Sequence, residues 1–275
     1  MRAPHPHSAA ANPPAASSII GAIVGRLNDT RSLVCHRPTM AETAVHEARK
    51  ALKNIRAGLR LLSDAGGVDL RQAGLLCRDV GRLLSGLRDT DVCLMMLESF
   101  PESLAAAAEP LTEKLRARRE ELHESAAPDA AARREIAADL DGVEKALRAL
   151  DPARFTDAGL RRAVESSRET GEKRYRKLIE APAPERFHNV RKASKRELYQ
   201  RRYLEAVRGG TDIRIGLLED LSEHLGRHQD LWVLREVAAE LGELRGDLAD
   251  AIDRAIGQEQ EQSLAIAAHA YGLRQ

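Results

Sequence analysis

One sequence pattern, H-x-x-R-K-A-x-K, occurs twice in this chain and constrains its fold more than any other feature. The first copy occupies residues 46–53 and the second occupies residues 188–195. Both copies continue into further basic residues, although the formal net charge of the whole chain is only +1. The positive charge is therefore concentrated locally, which indicates that two segments of the chain are built to hold an anion.

The spacing of the first copy predicts an amphipathic α-helix. At about 100° per residue, its basic residues share one arc of about 120°, and its alanines, leucines and isoleucine lie opposite. The cationic arc of the first copy consists of His46, Arg49, Lys50, Lys53, Arg56 and Arg60. This arc extends roughly 21 Å along the helix, which suits a long anion better than a single phosphate.

The second copy arranges its polar residues in the same way. Its cationic arc consists of His188, Arg191, Lys192, Lys195, Tyr199 and Arg202. Lys50, Lys192 and Arg196 lie toward the edges of the two arcs, and Arg201 falls on the apolar side. We expect the arginines to bind an anion through forked N–H donors and the lysines to act as mobile point charges.

A solvated helix surface is the alternative interpretation of such charge runs. Solvated faces usually alternate acidic and basic residues that pair at i,i+4. Here the only acids inside the two runs are Glu47 and Glu197, so two copies with matched spacing favour anion binding. The role of the two motif histidines stays open, because each either donates to the anion or packs at its helix start against the backbone.

The composition predicts an all-α protein. Aromatic residues make up only 3% of the chain, while alanine, leucine, arginine and glutamate are abundant, and this balance favours helix over sheet. We find no strand alternation and no glycine-rich phosphate loop. No apolar run approaches the about 18 residues that span a bilayer, so no membrane partner is expected. Residues 1–17, rich in alanine, proline and serine, are predicted to be a disordered tail.

A second repeated element supports an internal duplication. An L-x-x-x-x-D-x-x-V pattern follows each motif, at residues 84–92 and 225–233. We expect its aspartates, Asp89 and Asp230, to cap helices or to pair with a motif arginine. The sequence therefore predicts two antiparallel helical bundles, residues 18–150 and 153–271, related by an internal pseudo-twofold.

The two motifs resemble those of the CHAD family, the conserved histidine α-helical domain. The family pattern H-x-x-R-x-A-x-[KR]-x-[LI]-R is matched throughout residues 46–56. The pattern of the second half is matched at His188, Arg191, Lys195 and Tyr199. Glu197 and Leu198 stand where that pattern has leucine and arginine, so we expect the first motif helix to carry the more regular share of binding.

The resemblance covers about residues 18–270, so the two halves together would form one CHAD-like domain. It implies two four-helix bundles that face each other, with the motif helices lining a central cavity that binds inorganic polyphosphate. It further implies a cytoplasmic protein that associates with polyphosphate granules in bacteria and is not an enzyme. Sulfate or phosphate ions would occupy the same cavity in crystals.

Two other classes of function remain as alternatives. A general nucleic-acid or polyanion binder would use the same cations, but base-stacking aromatic residues are nearly absent from the two arcs, so nucleic acid is expected to bind weakly at most. A metal-dependent phosphohydrolase would use His46, His188, Asp89 and Asp230. No nucleophile and base occur together in the sequence to support catalysis.

Patterns that bind metals are weak in this chain, and no metal or cofactor is predicted. The three cysteines, Cys35, Cys77 and Cys93, match no zinc spacing and indicate buried thiols in a reducing compartment. His224 and His228 share one helix face but lack the glutamate of an H-E-x-x-H motif.

Overall fold

The computed structural model describes residues 15–35, 42–84, 88–125 and 130–272. Within these ranges the chain forms α-helices and two short 3-10 turns, with no strand. The helices are α1 (Ala15–Cys35), α2 (Glu42–Gly66), α3 (Arg71–Leu83), α4 (Arg88–Glu98), α5 (Ala105–Ser125), α6 (Ala130–Arg148), α7 (Asp157–Glu180), α8 (Pro184–Arg208), α9 (Ile213–Glu240) and α10 (Gly246–Tyr271). The prediction of an all-α fold is confirmed.

The two motif helices are α2 and α8, and both end where a glycine pair follows the periodic residues. Gly67 has a φ of 61° and Gly209 a φ of 70°, in the left-handed region that glycine enters without steric cost. The amide of Gly209 also donates to the carbonyl of Glu205 at 2.8 Å, which satisfies one of the last carbonyls of α8.

Two boundaries differ from the sequence prediction. Helix α1 begins at Ala15, so the predicted disordered tail is wrong for residues 15–17, while residues 1–14 lie outside the described part of the chain. Helix α9 runs without interruption from Ile213 to Glu240, so the second repeated element, residues 225–233, lies inside a helix and not before the start of one. Asp230 therefore lies inside a helix and cannot act as an N-cap.

The first core joins α1, α2, α3 and α6. The apolar stripe of α2 points into it, with Ile55, Leu59 and Leu62 buried. The beginning of α7 and the end of α8 also reach this core through Leu160 and Tyr203. The amphipathic pattern predicted for the first motif thus buries its apolar side and turns its cationic side away from the core.

Two further cores lie among the described residues. One joins α4 and α5 to the second half of α9 and the first half of α10, and the other joins α7, α8, the start of α9 and the end of α10. Helices α4 and α5 belong to the first half of the sequence but pack against helices of the second half. The internal pseudo-twofold is not established by this packing and stays a prediction.

Helices α2 and α8 touch where the motifs end. The Gln200 side chain of α8 donates to the carbonyl of Ala57 on α2 at 3.2 Å. At the next position, a Cβ on Gly58 would lie 2.7 Å from Ile23 Cδ1 and 2.9 Å from Tyr203 Cε2. Only a residue without a side chain fits between α1 and α8 at this point, and the close approach brings the two motif helices together.

Candidate functional site

The cationic faces of α2 and α8 lie close enough for their charges to interact. Burial is the main cause that lowers the pKa of His188 on α8, and the charge of Lys53 on α2 lowers it further. Burial likewise lowers the pKa of Arg196 on α8, and the charge of Arg60 on α2 adds to this shift. Two segments that are far apart in sequence therefore contribute to one electropositive region.

The motif histidine of α8 is held uncharged. Burial has the largest effect in lowering the pKa of His188, and the charges of Lys192 and Arg191 lower it further. A hydrogen bond with Gln229 opposes these effects. The Nδ1 atom of His188 is buried and has no hydrogen-bond partner among the described residues. Its counterpart on α2, His46, is half-buried. An anion beside His188 would favour the imidazolium form, because an opposite charge stabilises it.

The first arginine of each motif contacts a glycine on a neighbouring helix. Arg49 donates through Nη1 to the carbonyl of Gly81 on α3 at 2.8 Å. The guanidinium of Arg191 lies against α9, where a Cβ on Gly226 would be 3.7 Å from its Nη2. The hydrogen bond to Gly81 orients the Arg49 guanidinium before any ligand binds, which reduces the loss of conformational entropy on binding.

Several motif cations are open to solvent. Lys50, Lys53, Arg56 and Lys192 are exposed, and Lys195 is half-buried. The Lys50 ammonium lies 3.9 Å from the Glu47 carboxylate, and more than half of each side chain is exposed. An exposed pair of this kind contributes little to stability, so Lys50 exchanges its partner readily.

Two predicted ligands already have carboxylate partners. Arg60 donates from Nε to Asp64 at 2.9 Å, and Arg202 forms an ion pair with Glu219 on α9. An anion must compete with these carboxylates. The pair on α2 follows from i,i+4 spacing, whereas the pair between α8 and α9 depends on how those helices pack.

Tyr199, which the helical projection places on the cationic arc, is largely buried in the structure. Its side chain is buried, with 6% of its surface exposed, and burial raises the pKa of its phenol while the charges of Arg202 and Arg191 oppose the rise. The ring therefore forms part of the support beneath these two arginines.

Glu197 does not interrupt the cationic face of α8, contrary to our expectation. Its carboxylate is fully buried and accepts hydrogen bonds from Arg201 at 2.8 Å, from Arg214 at 2.9 Å and from the Tyr271 hydroxyl at 3.1 Å. Leu198 is buried in the third core. Both departures from the family pattern thus point into the protein, and the predicted apolar position of Arg201 is explained by its partnership with Glu197.

Arg174 on α7 belongs to this region, and the sequence motifs did not assign it there. Its Nη1 donates to the carbonyl of Asn189 on α8 at 2.8 Å, and its charge acts on Arg196. The sequence signal was a run of basic residues on α7, but helical spacing alone does not say which of them faces α8.

The four residues proposed for a phosphohydrolase do not form a metal centre. Asp89 on α4 and Asp230 on α9 both lie near Cys93. Burial is the main cause that raises the pKa of the Cys93 thiol to about 12, and the charges of the two aspartates add to the rise. Across the described ranges, no three side chains of histidine, cysteine, aspartate or glutamate are grouped so that they could hold a metal ion together.

The remaining metal candidates have structural partners. His224 lies 2.7 Å from Glu259, and the buried His228 accepts a hydrogen bond from Trp232 Nε1 at 3.0 Å. Cys77 is buried like Cys93, as predicted for structural thiols, and burial raises the pKa of its thiol to about 12.

The fold and the site together define an all-helical protein with a shared cationic face on two helices. The family model of the CHAD domain matches residues 19–239, so the chain belongs to the CHAD family. This finding confirms the resemblance drawn from the motifs. The comparison with curated proteins found no match.

Two solved structures show the same fold. The crystal structure of the CHAD domain from the plant Ricinus communis is 21% identical, with a TM-score of 0.67 and coverage of 100% of this chain and 98% of that chain. PptA from Streptomyces chartreusis is 19% identical, with a TM-score of 0.60 and coverage of 94% and 98%. None of the helices in the described ranges is both long and apolar enough to cross a membrane.

Proposed function

We propose that this protein binds inorganic polyphosphate, without catalysis, through the cationic faces of α2 and α8. The observation that carries the proposal is the close approach of the two motif helices, where Gln200 of α8 donates to the Ala57 carbonyl of α2 at 3.2 Å. In agreement with it, the charge of Lys53 lowers the pKa of His188 and the charge of Arg60 lowers the pKa of Arg196. A polyanion that lies along both helices would offset the repulsion between Arg60 and Arg196 and would favour the charged form of His188.

The balance of charge favours a ligand with many negative charges. The two cationic arcs and Arg196 include ten lysines and arginines on two helices, and ion pairs join Lys50 to Glu47, Arg60 to Asp64 and Arg202 to Glu219. Polyphosphate carries about one charge per repeat, and neutralising it releases condensed counterions, as it does for nucleic-acid backbones.

The site combines fixed and mobile donors. The hydrogen bond from Arg49 to Gly81 holds one forked donor in place, and Arg191 is half-buried, whereas Lys53, Arg56 and Lys192 are exposed. Fixed guanidinium groups suit bidentate contacts with phosphate oxygens, and mobile cations follow a flexible chain.

Charge reversal on the exposed face tests the proposal. The double variant Arg56→Glu/Lys192→Glu should weaken binding of polyphosphate by about a hundredfold or more, because each exchanged cation becomes a repulsive charge. The matched control, Arg176→Glu/Arg254→Glu, makes the same change of net charge at exposed positions of α7 and α10 and should change affinity by less than about threefold. Fluorescence anisotropy of labelled polyphosphate measures both. Equal weakening by the two variants would show that only net charge matters and that this face is not the site.

Two additional measurements separate the alternatives. Competition between polyphosphate and DNA at matched phosphate concentration should favour polyphosphate, and equal affinity would identify a general polyanion binder. An assay of phosphate release should show no turnover with or without divalent metal, and metal-dependent release would identify a phosphohydrolase.

We further propose that the protein acts at polyphosphate granules in the cytoplasm. The binding face is the feature that would recruit it there, so a fluorescent fusion of the charge-reversed variant should lose the granule association that the control variant keeps.

A further inference from the structure

Three arginines from three helices gather beside the motif faces. The guanidinium of Arg196 on α8 is close enough to Arg174 on α7 and Arg60 on α2 for both charges to act on it. The hydrogen bond from Arg174 to the Asn189 carbonyl fixes this side chain against α8. We call Arg60, Arg174 and Arg196 the arginine cluster.

Positive charge dominates around Arg196 within the described ranges. Besides burial, Arg174 and Arg60 lower its pKa, and Asp64, which opposes them, already accepts a hydrogen bond from Arg60. The Nε atom of Arg196 is buried and lacks a hydrogen-bond partner within the described ranges. A buried donor without a partner is unfavourable, and like charges around it increase the cost, so an anion bound here would compensate for both.

The geometry of a phosphoryl group decides which anion fits three forked donors. A repeat inside a polyphosphate chain has two free oxygens and about one charge. A phosphoryl group at a chain end has three free oxygens and a charge of about −1.5 to −2. Orthophosphate carries a similar charge and can likewise present three unprotonated oxygens. Three guanidinium groups can each pair with one of these oxygens, or fork between two of them.

We propose that the arginine cluster is a subsite for a phosphoryl group with three free oxygens, supplied by the end of a polyphosphate chain or by orthophosphate. The inference rests on the proposed function in that a chain end would arrive from polyphosphate bound along α2 and α8. It adds to that function a preference for chain ends and a residue, Arg174, that lies outside both motifs.

Linear and cyclic phosphates of equal length test the proposal. Tripolyphosphate has two ends and trimetaphosphate has none. By isothermal titration calorimetry, Arg196→Gln should weaken binding of tripolyphosphate by about tenfold or more, since hydrogen bonds between charged groups are lost, and should change binding of trimetaphosphate by less than about twofold. The control is Arg176→Gln, an exposed arginine two positions from Arg174, which should leave both affinities unchanged.

Two further variants guard against a folding defect. Arg196→Lys keeps the charge but loses the fork, and it should weaken binding of tripolyphosphate less than the glutamine variant does. Asp64→Asn removes the competing carboxylate and should strengthen binding of tripolyphosphate by several fold. A gain of affinity cannot arise from misfolding, and circular dichroism checks the helical content of every variant.

The outcomes separate this proposal from the proposed function. Equal loss for linear and cyclic phosphates in Arg196→Gln, or no loss for either, overturns the subsite. If titration with orthophosphate shows the same dependence on Arg196, free phosphate is a ligand as well; if orthophosphate does not bind, the subsite serves chain ends. Long-chain polyphosphate, which has few ends and contacts many other cations of α2 and α8, should lose several-fold less affinity in Arg196→Gln than tripolyphosphate does. Absence of long-chain binding together with an Arg196-dependent affinity for tripolyphosphate would overturn the proposed function and leave the subsite standing.

Discussion

At the scale of single residues, the environment of an ionisable group determines its role more than its place in a motif does. Glu197 and Glu47 both lie within basic runs, yet Glu197 is fully buried among partners and Glu47 is exposed. The same contrast separates the histidines. His188 borders the cationic face, while His228 is 2% exposed in the interior. Burial, which a motif does not encode, decides between ligand and structural residue.

Buried His228 makes the stability of the protein depend on pH. Burial lowers the pKa of its imidazole to about 4, below the value of about 6.5 in an unfolded chain. Between these values the unfolded state binds a proton and the folded state does not, so stability falls as the pH drops from about 6.5 to about 4.

The expected loss from this one group is about 2 kcal/mol between about pH 7 and pH 4.5. His228→Gln keeps an acceptor for Trp232 and removes the titrating group. Between the same two pH values, the free energy of unfolding of this variant should fall by about 2 kcal/mol less than that of the unmodified protein. Urea unfolding at the two pH values measures the difference. Parallel losses in both proteins would show that His228 is not the group responsible.

At the scale of helices, the approach of α2 to α8 depends on one glycine. Gly58 lies in the interior of α2, where glycine weakens a helix by about 1 kcal/mol relative to alanine. Glycine nevertheless occupies this position, where the Cβ of any other residue would lie less than 3 Å from Ile23 and from the ring of Tyr203. The glycine that lowers the stability of α2 is therefore the residue that allows α2 and α8 to pack closely.

Two glycine substitutions should therefore have opposite effects. Gly58→Ala should destabilise the protein by about 1–2 kcal/mol, because overpacking between α1, α2 and α8 outweighs the gain in helix propensity. Gly25→Ala, inside α1 with nothing within 4 Å of the added Cβ, should stabilise it by about 0.5–1 kcal/mol. Denaturant unfolding measures both changes. A stabilising Gly58→Ala would mean that the helices separate easily at this contact.

At the scale of the whole molecule, a nearly neutral chain carries a local positive field. The formal net charge is +1, so the cations of α2 and α8 are offset by acids elsewhere. Three cores hold the arrangement together, and α4 and α5 join the helices of the second half through Leu94, Leu111 and Leu234. The site therefore depends on helices that come from both halves of the sequence.

Binding of polyphosphate should weaken steeply with salt even though the net charge is small. If about six cations contact the chain, the logarithm of the affinity should fall with the logarithm of salt concentration at a slope of about −4. The free energy of unfolding should change little over the same range, because the three cores are apolar. A slope near zero, measured by fluorescence anisotropy from about 50 to 500 mM salt, would contradict electrostatic binding.

The sequence by itself determined the class of fold and the residues of the two cationic faces. Helical periodicity is a local property, so the spacing of His46, Arg49 and Lys53 was enough to place them on one side of a helix, and the glycine pairs marked where both motif helices end. Tertiary structure alone decided which helices meet. It placed Arg174 beside Arg196, paired Arg202 with Glu219, buried Glu197 and carried α9 straight through residue 225. These features depend on contacts between residues distant in sequence, and packing, not periodicity, selects such contacts.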